Sequence, residues 1–142
     1  MRRPLEILLV EDNEGDVEMT RRALAKAAPP CVVTVANNGN QALDCLTRQG
    51  KFAEAERPNL ILLDINMPRM DGKSFLSIVK TEDAFKTIPV VMFTSSESPA
   101  DIRECFELYA SAYVVKPFDG VEYAERLRQI VHFWGAVGEL PR

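Results

Sequence analysis

The chain has 142 residues, of which 17 are basic and 21 acidic, so its net charge at neutral pH is -4. This acidic balance argues against direct nucleic-acid binding, which depends on a basic patch. We find no signal peptide and no membrane-spanning run, so we expect a cytoplasmic protein that does not associate with a membrane. Three scattered cysteines, Cys31, Cys45 and Cys105, favour free thiols over a disulfide framework.

Five short apolar runs predict buried strands, because each is rich in Val, Ile or Leu. They occupy residues 5–10, 31–36, 60–65, 90–94 and 113–115. The segments between them repeat apolar residues at helical spacing. Alternating strands and helices predict an α/β fold with a doubly wound parallel sheet. We expect one domain over 1–142, with a core at about 5–131 and a C-terminal extension and tail at about 132–142.

Two helix starts carry local signals. Ser98 followed by Pro99 predicts an N-cap with proline in the first turn. Asp119 with Glu122 three residues later resembles a capping box. These signals predict where the fourth and fifth helices begin.

Acidic residues end two of the predicted strands. Glu11 and Asp12 follow the first strand, and Asp64 lies at the end of the third. These strands are neighbours in a doubly wound sheet, so the acids should converge. Two carboxylates ~5 Å apart repel by about 3 kcal/mol at an effective dielectric constant near 20. Such a cluster favours a bound Mg²⁺, although Glu11 and Asp12 could instead serve only to start the first helix.

The last two strands add a hydroxyl and an ammonium group at the same edge. Thr94 ends the fourth strand and Lys116 follows the fifth. Taken singly, the threonine is typical of a cap and the lysine of a solvated surface. Together with the acids they indicate a phosphoryl-transfer site, in which Asp64 is the nucleophile and the cations and hydroxyl stabilise the phosphoryl oxygens.

The ordered motifs "LLVEDN", "LLDINMPRMDG", "VVMFTSS" and "YVVKPF" resemble the response-regulator receiver domain of two-component signalling, over about residues 5–134. The resemblance implies a flavodoxin-like (βα)5 fold with strand order 2-1-3-4-5. It also implies Mg²⁺ as cofactor and a sensor histidine kinase as partner. The domain would not be an enzyme beyond catalysing its own phosphorylation and dephosphorylation.

The same resemblance assigns residue roles. Asp64 is the phosphoacceptor, and the ammonium group of Lys116 pairs with the phosphate. The peptide bond between Lys116 and Pro117 is cis. Thr94 and Tyr113 form the switch. The metal is held by Glu11 through water, by Asp12 and Asp64, and by the backbone carbonyl of Asn66. Asn66 and Ser96 flank the attacking water and tune the lifetime of the phosphate.

The segment 49–59, the run "KTEDAFKTIPVVMFTSS" and the tail "VHFW" are similar to stand-alone receivers that partner bacterial phytochrome-type kinases. Phe133 and Trp134 extend an apolar stripe on the last helix, and burying such a side chain is worth about 1.5–3 kcal/mol. We therefore expect a homodimer through the C-terminal helix. The alternative is a tail that folds back over its own core.

Other functions remain open at this point. A phosphatase with an aspartyl nucleophile needs a second acid two residues later, where Asn66 stands. A nucleotide or flavin binder would need a glycine-rich loop, which we do not find. A receiver-like adaptor without phosphorylation would not need the full set of acids, threonine and lysine. His132 is interpreted as a surface or packing residue, and Arg21, Arg22 and Lys26 as a solvated face that could contact the kinase.

Overall fold

The computed structural model describes residues 4–141, in which strands and helices alternate along the chain. The strands are β1 (Leu5–Val10), β2 (Cys31–Ala36), β3 (Leu60–Leu63), β4 (Val90–Thr94) and β5 (Ala112–Val115). The helices are α1 (Glu14–Ala25), α2 (Gly39–Thr47), α3 (Gly72–Thr81), α4 (Pro99–Glu107) and α5 (Gly120–His132). A short 3₁₀ turn lies at Gly50–Phe52, within the segment that the sequence marks as a longer connection, and a π-helical turn at Phe133–Val137 prolongs α5.

The five strands form one parallel sheet in the order β2-β1-β3-β4-β5, which confirms the predicted fold. In the register of β1 and β3, Val10 lies opposite Leu63. The two strands therefore end level with one another. The residues that follow, Glu11 and Asp64, leave the sheet side by side at its carboxyl edge.

Helices cover both faces of the sheet, and alternate strand residues point to opposite faces. The first core cluster lies against α2, α3 and α4, and its strand residues include Leu8, Val10, Ile61, Leu63 and Met92. The second core cluster lies against α1 and α5, and its strand residues include Leu5, Ile7, Leu9, Leu60, Leu62 and Phe93. Because both faces are covered, β3 is apolar throughout, and β1 and β4 carry only one polar residue each, Glu6 and Thr94, with no polar alternation.

Two strand boundaries differ from the sequence prediction. The third strand ends at Leu63 and not at 65, and the fifth begins at Ala112. Asp64 Oδ1 accepts a hydrogen bond from the backbone N–H of Ile65 at 2.8 Å. Such a local bond competes with the strand ladder, so the ladder stops while Ile65 remains buried. Asp64 therefore stands just beyond the strand.

Both predicted helix starts are present. Ser98 Oγ accepts the backbone N–H of Asp101 at 3.3 Å, with Pro99 in the first turn of α4. Asp119 Oδ1 accepts the backbone N–H of Val121 at 3.3 Å at the start of α5. These caps fix the helices that flank β5.

The tail after α5 lies partly on the protein's own core. Trp134 and Leu140 pack against the second core cluster, as the folded-back alternative predicts. Phe133 and Val137 are 49% and 63% exposed. His132 is exposed, as expected from the sequence. The extension thus divides into a part that covers the core and an apolar part that faces solvent.

Candidate functional site

The acids that the sequence predicts to converge do so. Glu11, Asp12 and Asp64 each offer a carboxylate oxygen, and these oxygens lie within 4.8 Å of one another. Glu11 and Asp64 are buried, whereas Asp12 is exposed. The backbone N–H of Asn13 donates to Glu11 Oε2 at 3.1 Å, which orients that carboxylate. The group therefore has a buried floor and one solvent-facing acid.

Lys116 lies among these acids, with a side chain only 8% exposed. Its Nζ donates to Glu11 Oε1 at 2.5 Å, to Asp16 Oδ2 at 2.8 Å and to Asp64 Oδ2 at 3.1 Å. The backbone N–H of Lys116 donates to the carbonyl of Thr94 at 2.8 Å, which ties the loop after β5 to the end of β4. The single ammonium group thus forms ion pairs with carboxylates that follow β1, lie in α1 and follow β3.

Burial and charge shift two pKa values at this site. Burial raises the pKa of Glu11 to about 7, against the lowering effect of its hydrogen bond to Lys116, and the charge of Asp64 raises it further. Burial alone would lower the pKa of Lys116, but the hydrogen bonds to Asp16 and Glu11 and the charge of Asp64 hold that pKa above its usual range. Lys116 therefore stays protonated in the folded protein.

Asp16 is a site residue that the sequence analysis missed. It lies in the first turn of α1, where its backbone N–H donates to the capping side chain of Asn13 at 2.9 Å. A carboxylate in that turn is commonly explained by the helix dipole alone. One signal in the sequence could have identified it. Asp16 lies three residues after the N-cap Asn13, in the first helical turn after the strand end that carries Glu11, and is therefore near the acidic group.

The hydroxyl groups of the predicted switch come from β4 and β5. Thr94 is fully buried at the end of β4, and its Oγ1 accepts the backbone N–H of Ser96 at 3.5 Å. The Tyr113 hydroxyl donates to the carbonyl of Ser96 at 2.9 Å, and its side chain packs against the first core cluster. Burial raises the pKa of Tyr113. Tyr113 is thus held inward by the loop that follows Thr94.

A polar network continues from this loop to α3. Ser96 Oγ donates to Asp101 Oδ2 at 2.5 Å, and Lys73 Nζ donates to Asp101 Oδ1 at 2.6 Å and also to Glu104. The hydrogen bonds from Lys73 and Ser96 hold the pKa of Asp101 below its usual value. The hydroxyl of Ser96 is therefore engaged by α4.

One prediction about the loop after β5 was wrong. Within residues 4–141 the cis peptide bond is Ala28–Pro29, so the Lys116–Pro117 bond is trans. The trans form is the intrinsic preference of an X–Pro bond, by about 0.5–1 kcal/mol. The Lys116 ammonium reaches all its carboxylate partners from this trans backbone.

The donor set suits a hard divalent cation. Three carboxylates supply only oxygen ligands, and the exposed side at Asp12 leaves room for water and phosphate. Mg²⁺ favours such open sites with few protein ligands. Asn66 is exposed and lies in the loop that follows β3, two residues after Asp64. The arrangement can therefore hold a cation next to a carboxylate nucleophile and a buried ammonium.

The family model of the response regulator receiver domain matches residues 7–128. This chain belongs to the response regulator receiver family. It is therefore a two-component response regulator, and receiver domains in general act in signalling and not as enzymes. Among residues 4–141, no helix has the length and apolar character needed to cross a membrane.

Relatives of this receiver match almost all of its length. The response regulator Rcp1 of Synechocystis sp. is 33% identical over 138 residues, which span 97% of this chain and 94% of Rcp1. A structure of the phosphorylated cyanobacterial phytochrome response regulator RcpA is 34% identical with a TM-score of 0.93, covering 99% of this chain and 100% of that one.

A structure of Rcp1 in its Mn²⁺-bound form is 32% identical to this receiver, with a TM-score of 0.91 over 98% of this chain and 100% of that one. Together with the acidic group of Glu11, Asp12 and Asp64, this supports a divalent-metal site in the receiver.

Proposed function

We propose that this receiver accepts a phosphoryl group from a sensor histidine kinase onto Asp64 in a Mg²⁺-dependent reaction, and that the phosphate changes its conformation. The observation that carries the proposal is the contact of Lys116 Nζ with Asp64 Oδ2 inside the three-acid group. A nucleophilic carboxylate, a cation site and a fixed ammonium are the parts that phosphoryl transfer needs.

The chain's own residues account for the chemistry as follows. A carboxylate oxygen of Asp64 attacks phosphorus, the bond from phosphorus to the kinase imidazole nitrogen breaks, and that nitrogen keeps the electron pair. Mg²⁺, when bound, neutralises charge on the phosphoryl oxygens. Lys116 supplies a second positive charge, and the N–H of Ile65 holds the Asp64 carboxylate in place.

We assign the metal ligands to Asp12 and Asp64, with Glu11 acting through a water molecule and Asn66 through its backbone carbonyl. Support comes from the clustering of the three carboxylates and from the burial of Glu11, which keeps it at the floor of the site. Asn66 and Ser96 are assigned to tuning the phosphate lifetime. Lys116 is assigned to pairing with the phosphate.

We propose a phytochrome-type histidine kinase as the partner and the cytoplasm as the location. The support is the similarity to RcpA, a phytochrome response regulator, over 99% of this chain and 100% of that one. Arg21, Arg22 and Lys26 are exposed on α1 and at its end, where they are available to the kinase. We also propose that residues 1–142 form a single receiver domain with a core at 5–131.

Incubation with acetyl phosphate and Mg²⁺, followed by intact mass measurement, tests the function. We expect the mass of one phosphoryl group, lost in acid or hydroxylamine and absent when EDTA replaces Mg²⁺. A mass that does not change under these conditions contradicts the proposal and favours an adaptor that does not use phosphate.

Replacing Thr94 with alanine is expected to preserve phosphorylation but to remove the conformational response. The Thr94 hydroxyl is buried beside the site and bonded to the loop that holds Tyr113. In this proposal the hydroxyl reaches a phosphoryl oxygen only in the phosphorylated state, and a switch requires such a difference in contacts between its two states. Amide chemical shifts of Ser96 and Tyr113, with and without phosphate, provide the measurement. Phosphate-induced shifts of wild-type size in Thr94→Ala remove the hydroxyl from the switch.

We further propose a homodimer through the C-terminal helix, with Phe133 and Trp134 at or beside the contact. Phe133 and Val137 are exposed, whereas Trp134 also packs on the core and forms an edge-to-face pair with Phe133 at 5.1 Å. A two-fold contact would cover both exposed apolar side chains, and such contacts are the commonest among homo-oligomers.

The double substitution Phe133→Ala/Val137→Ala is expected to weaken dimerisation by at least about tenfold, because each lost apolar contact removes about 1 kcal/mol or more. Sedimentation velocity over a concentration series gives the dissociation constant. Phe118→Ala is the control, since Phe118 is a fully exposed apolar residue that lies two positions after Lys116 and outside the C-terminal helix. Equal weakening by both variants, or a monomeric wild type, contradicts the proposed interface.

A further inference from the structure

Lys116 has more carboxylate partners than the acidic group accounts for. Two of its partners, Glu11 and Asp64, belong to the group that could hold a metal ion. The third, Asp16, lies outside that group and contacts Nζ at 2.8 Å. Among the described contacts of Lys116 Nζ, Asp16 is therefore the one carboxylate that a cation bound to the acidic group would not also use.

Two elements fix the position of Asp16. Its backbone N–H is capped by Asn13 at 2.9 Å, and its carbonyl accepts the hydroxyl of Tyr123 on α5 at 3.5 Å. The Tyr123 hydroxyl is also within 3.2 Å of Thr20 Oγ1 on α1. The Asp16 side chain is 25% exposed, so its charge is partly shielded from water. Asp16 thus offers Lys116 a carboxylate in a defined place.

A divalent cation and Lys116 make competing demands on the same oxygens. A cation held by Glu11 and Asp64 repels an ammonium group bonded to the same carboxylates, because like charges a few ångströms apart repel strongly. If Lys116 had no other partner, it would have to leave the acids or exclude the cation. A third carboxylate outside the group lets the ammonium remain nearby and paired.

We propose that Asp16 is a positioning residue that holds Lys116 beside Asp64 and so allows the ammonium group and a divalent cation to occupy the site together. This inference rests on the proposed function, which requires both positive charges at Asp64. Asp16 lies outside the group of carboxylates that could hold the cation. It acts through Lys116.

The test is a double-mutant cycle on Mg²⁺ affinity, measured by calorimetry on the unphosphorylated full chain. We expect Asp16→Asn to weaken Mg²⁺ binding about fivefold, because Lys116 then competes for Glu11 and Asp64. In a Lys116→Met background the same change should weaken binding less than about twofold, since no ammonium remains to be positioned. The same fold-change in both backgrounds overturns the proposal, because Asp16 would then act only through its charge.

A matched control and a second measurement complete the test. Glu18→Gln removes an acid from the same helix, and the Glu18 carboxylate pairs with Arg22 instead of Lys116. It should leave Mg²⁺ affinity unchanged, and a loss equal to that of Asp16→Asn overturns the proposal.

A second measurement does not need the Lys116→Met variant and so decides the matter even if that variant does not fold. It is the exchange rate of the ammonium protons of Lys116, read from the ¹⁵N resonance of Nζ in Asp16→Asn. We expect faster ammonium proton exchange than in wild type, and unchanged exchange overturns the positioning role. These readouts need no phosphate, so they are independent of whether Asp64 is phosphorylated.

Discussion

Replacing Asp64 with asparagine is expected to reduce phosphorylation by acetyl phosphate or kinase at least about a hundredfold, because an amide is not a nucleophile. The amide oxygen can still accept the N–H of Ile65, so the loop after β3 should keep its shape. Intact mass and acid lability of the label provide the measurement. The change removes the reacting atom and leaves the surrounding charges of Glu11, Asp12 and Lys116 in place.

Asp71→Asn is the matched control for this prediction. Asp71 lies in the same loop and caps α3 by accepting the N–H of Ser74 at 2.9 Å, and asparagine is an equally good cap. This variant should label like wild type. An Asp64→Asn chain that gains one acid-stable phosphate would assign the nucleophile to another residue.

Gly72→Ala is expected to lower the free energy of unfolding by about 3 kcal/mol or more, at the upper end of the range for overpacking. A Cβ at this position would lie 2.1 Å from the carbonyl oxygen of Asp64 and 2.8 Å from Cα of Ile65. Both are backbone atoms, so no side-chain rotation can relieve the contact. The start of α3 must move away from the loop, and urea denaturation with the linear extrapolation measures the loss.

The same substitution should weaken Mg²⁺ binding, because the displaced loop carries Asp64. Gly120→Ala is the control, since a Cβ there meets nothing within 4 Å in the first turn of α5. That variant should be neutral or gain about 0.4–1 kcal/mol through the reduced entropy of its unfolded chain. Equal stability of the two alanine variants would contradict a close approach of α3 to Asp64.

The sequence predicts the main site residues because the topology brings the carboxyl ends of parallel strands to one edge. Glu11, Asp64, Thr94 and Lys116 each end or follow an apolar run of strand length, so their convergence needs only the strand order. Side-chain partners that come from helices carry no such signal. Asp16 lies in a helical first turn, where an acid is ordinary, and only the placement of α1 at this edge of the sheet brings it to Lys116.

Local competition limits the prediction of boundaries and backbone states. The apolar pattern continues through Ile65, but the bond between Asp64 and the Ile65 N–H ends β3 two residues earlier. The cis expectation for the bond before Pro117 came from the family resemblance alone, and the trans bond found there follows the intrinsic preference of an X–Pro bond. The tail shows a third limit. Phe133 and Trp134 are adjacent and both apolar, so the sequence does not predict that Trp134 packs on the core while Phe133 remains exposed.

The sheet separates the switch from the proposed dimer contact. Tyr113 packs against the first core cluster, whereas Trp134 and Leu140 pack against the second, on the opposite face. For phosphate to change association tenfold, about 1.4 kcal/mol of coupling free energy must cross that layer, and the same amount must act in reverse on the affinity for phosphate. Strands packed on both faces resist such deformation. Phosphate and association are then nearly additive, so the proposed dimer would form with or without phosphate, and phosphorylation would alter the surface of an existing dimer instead of creating one.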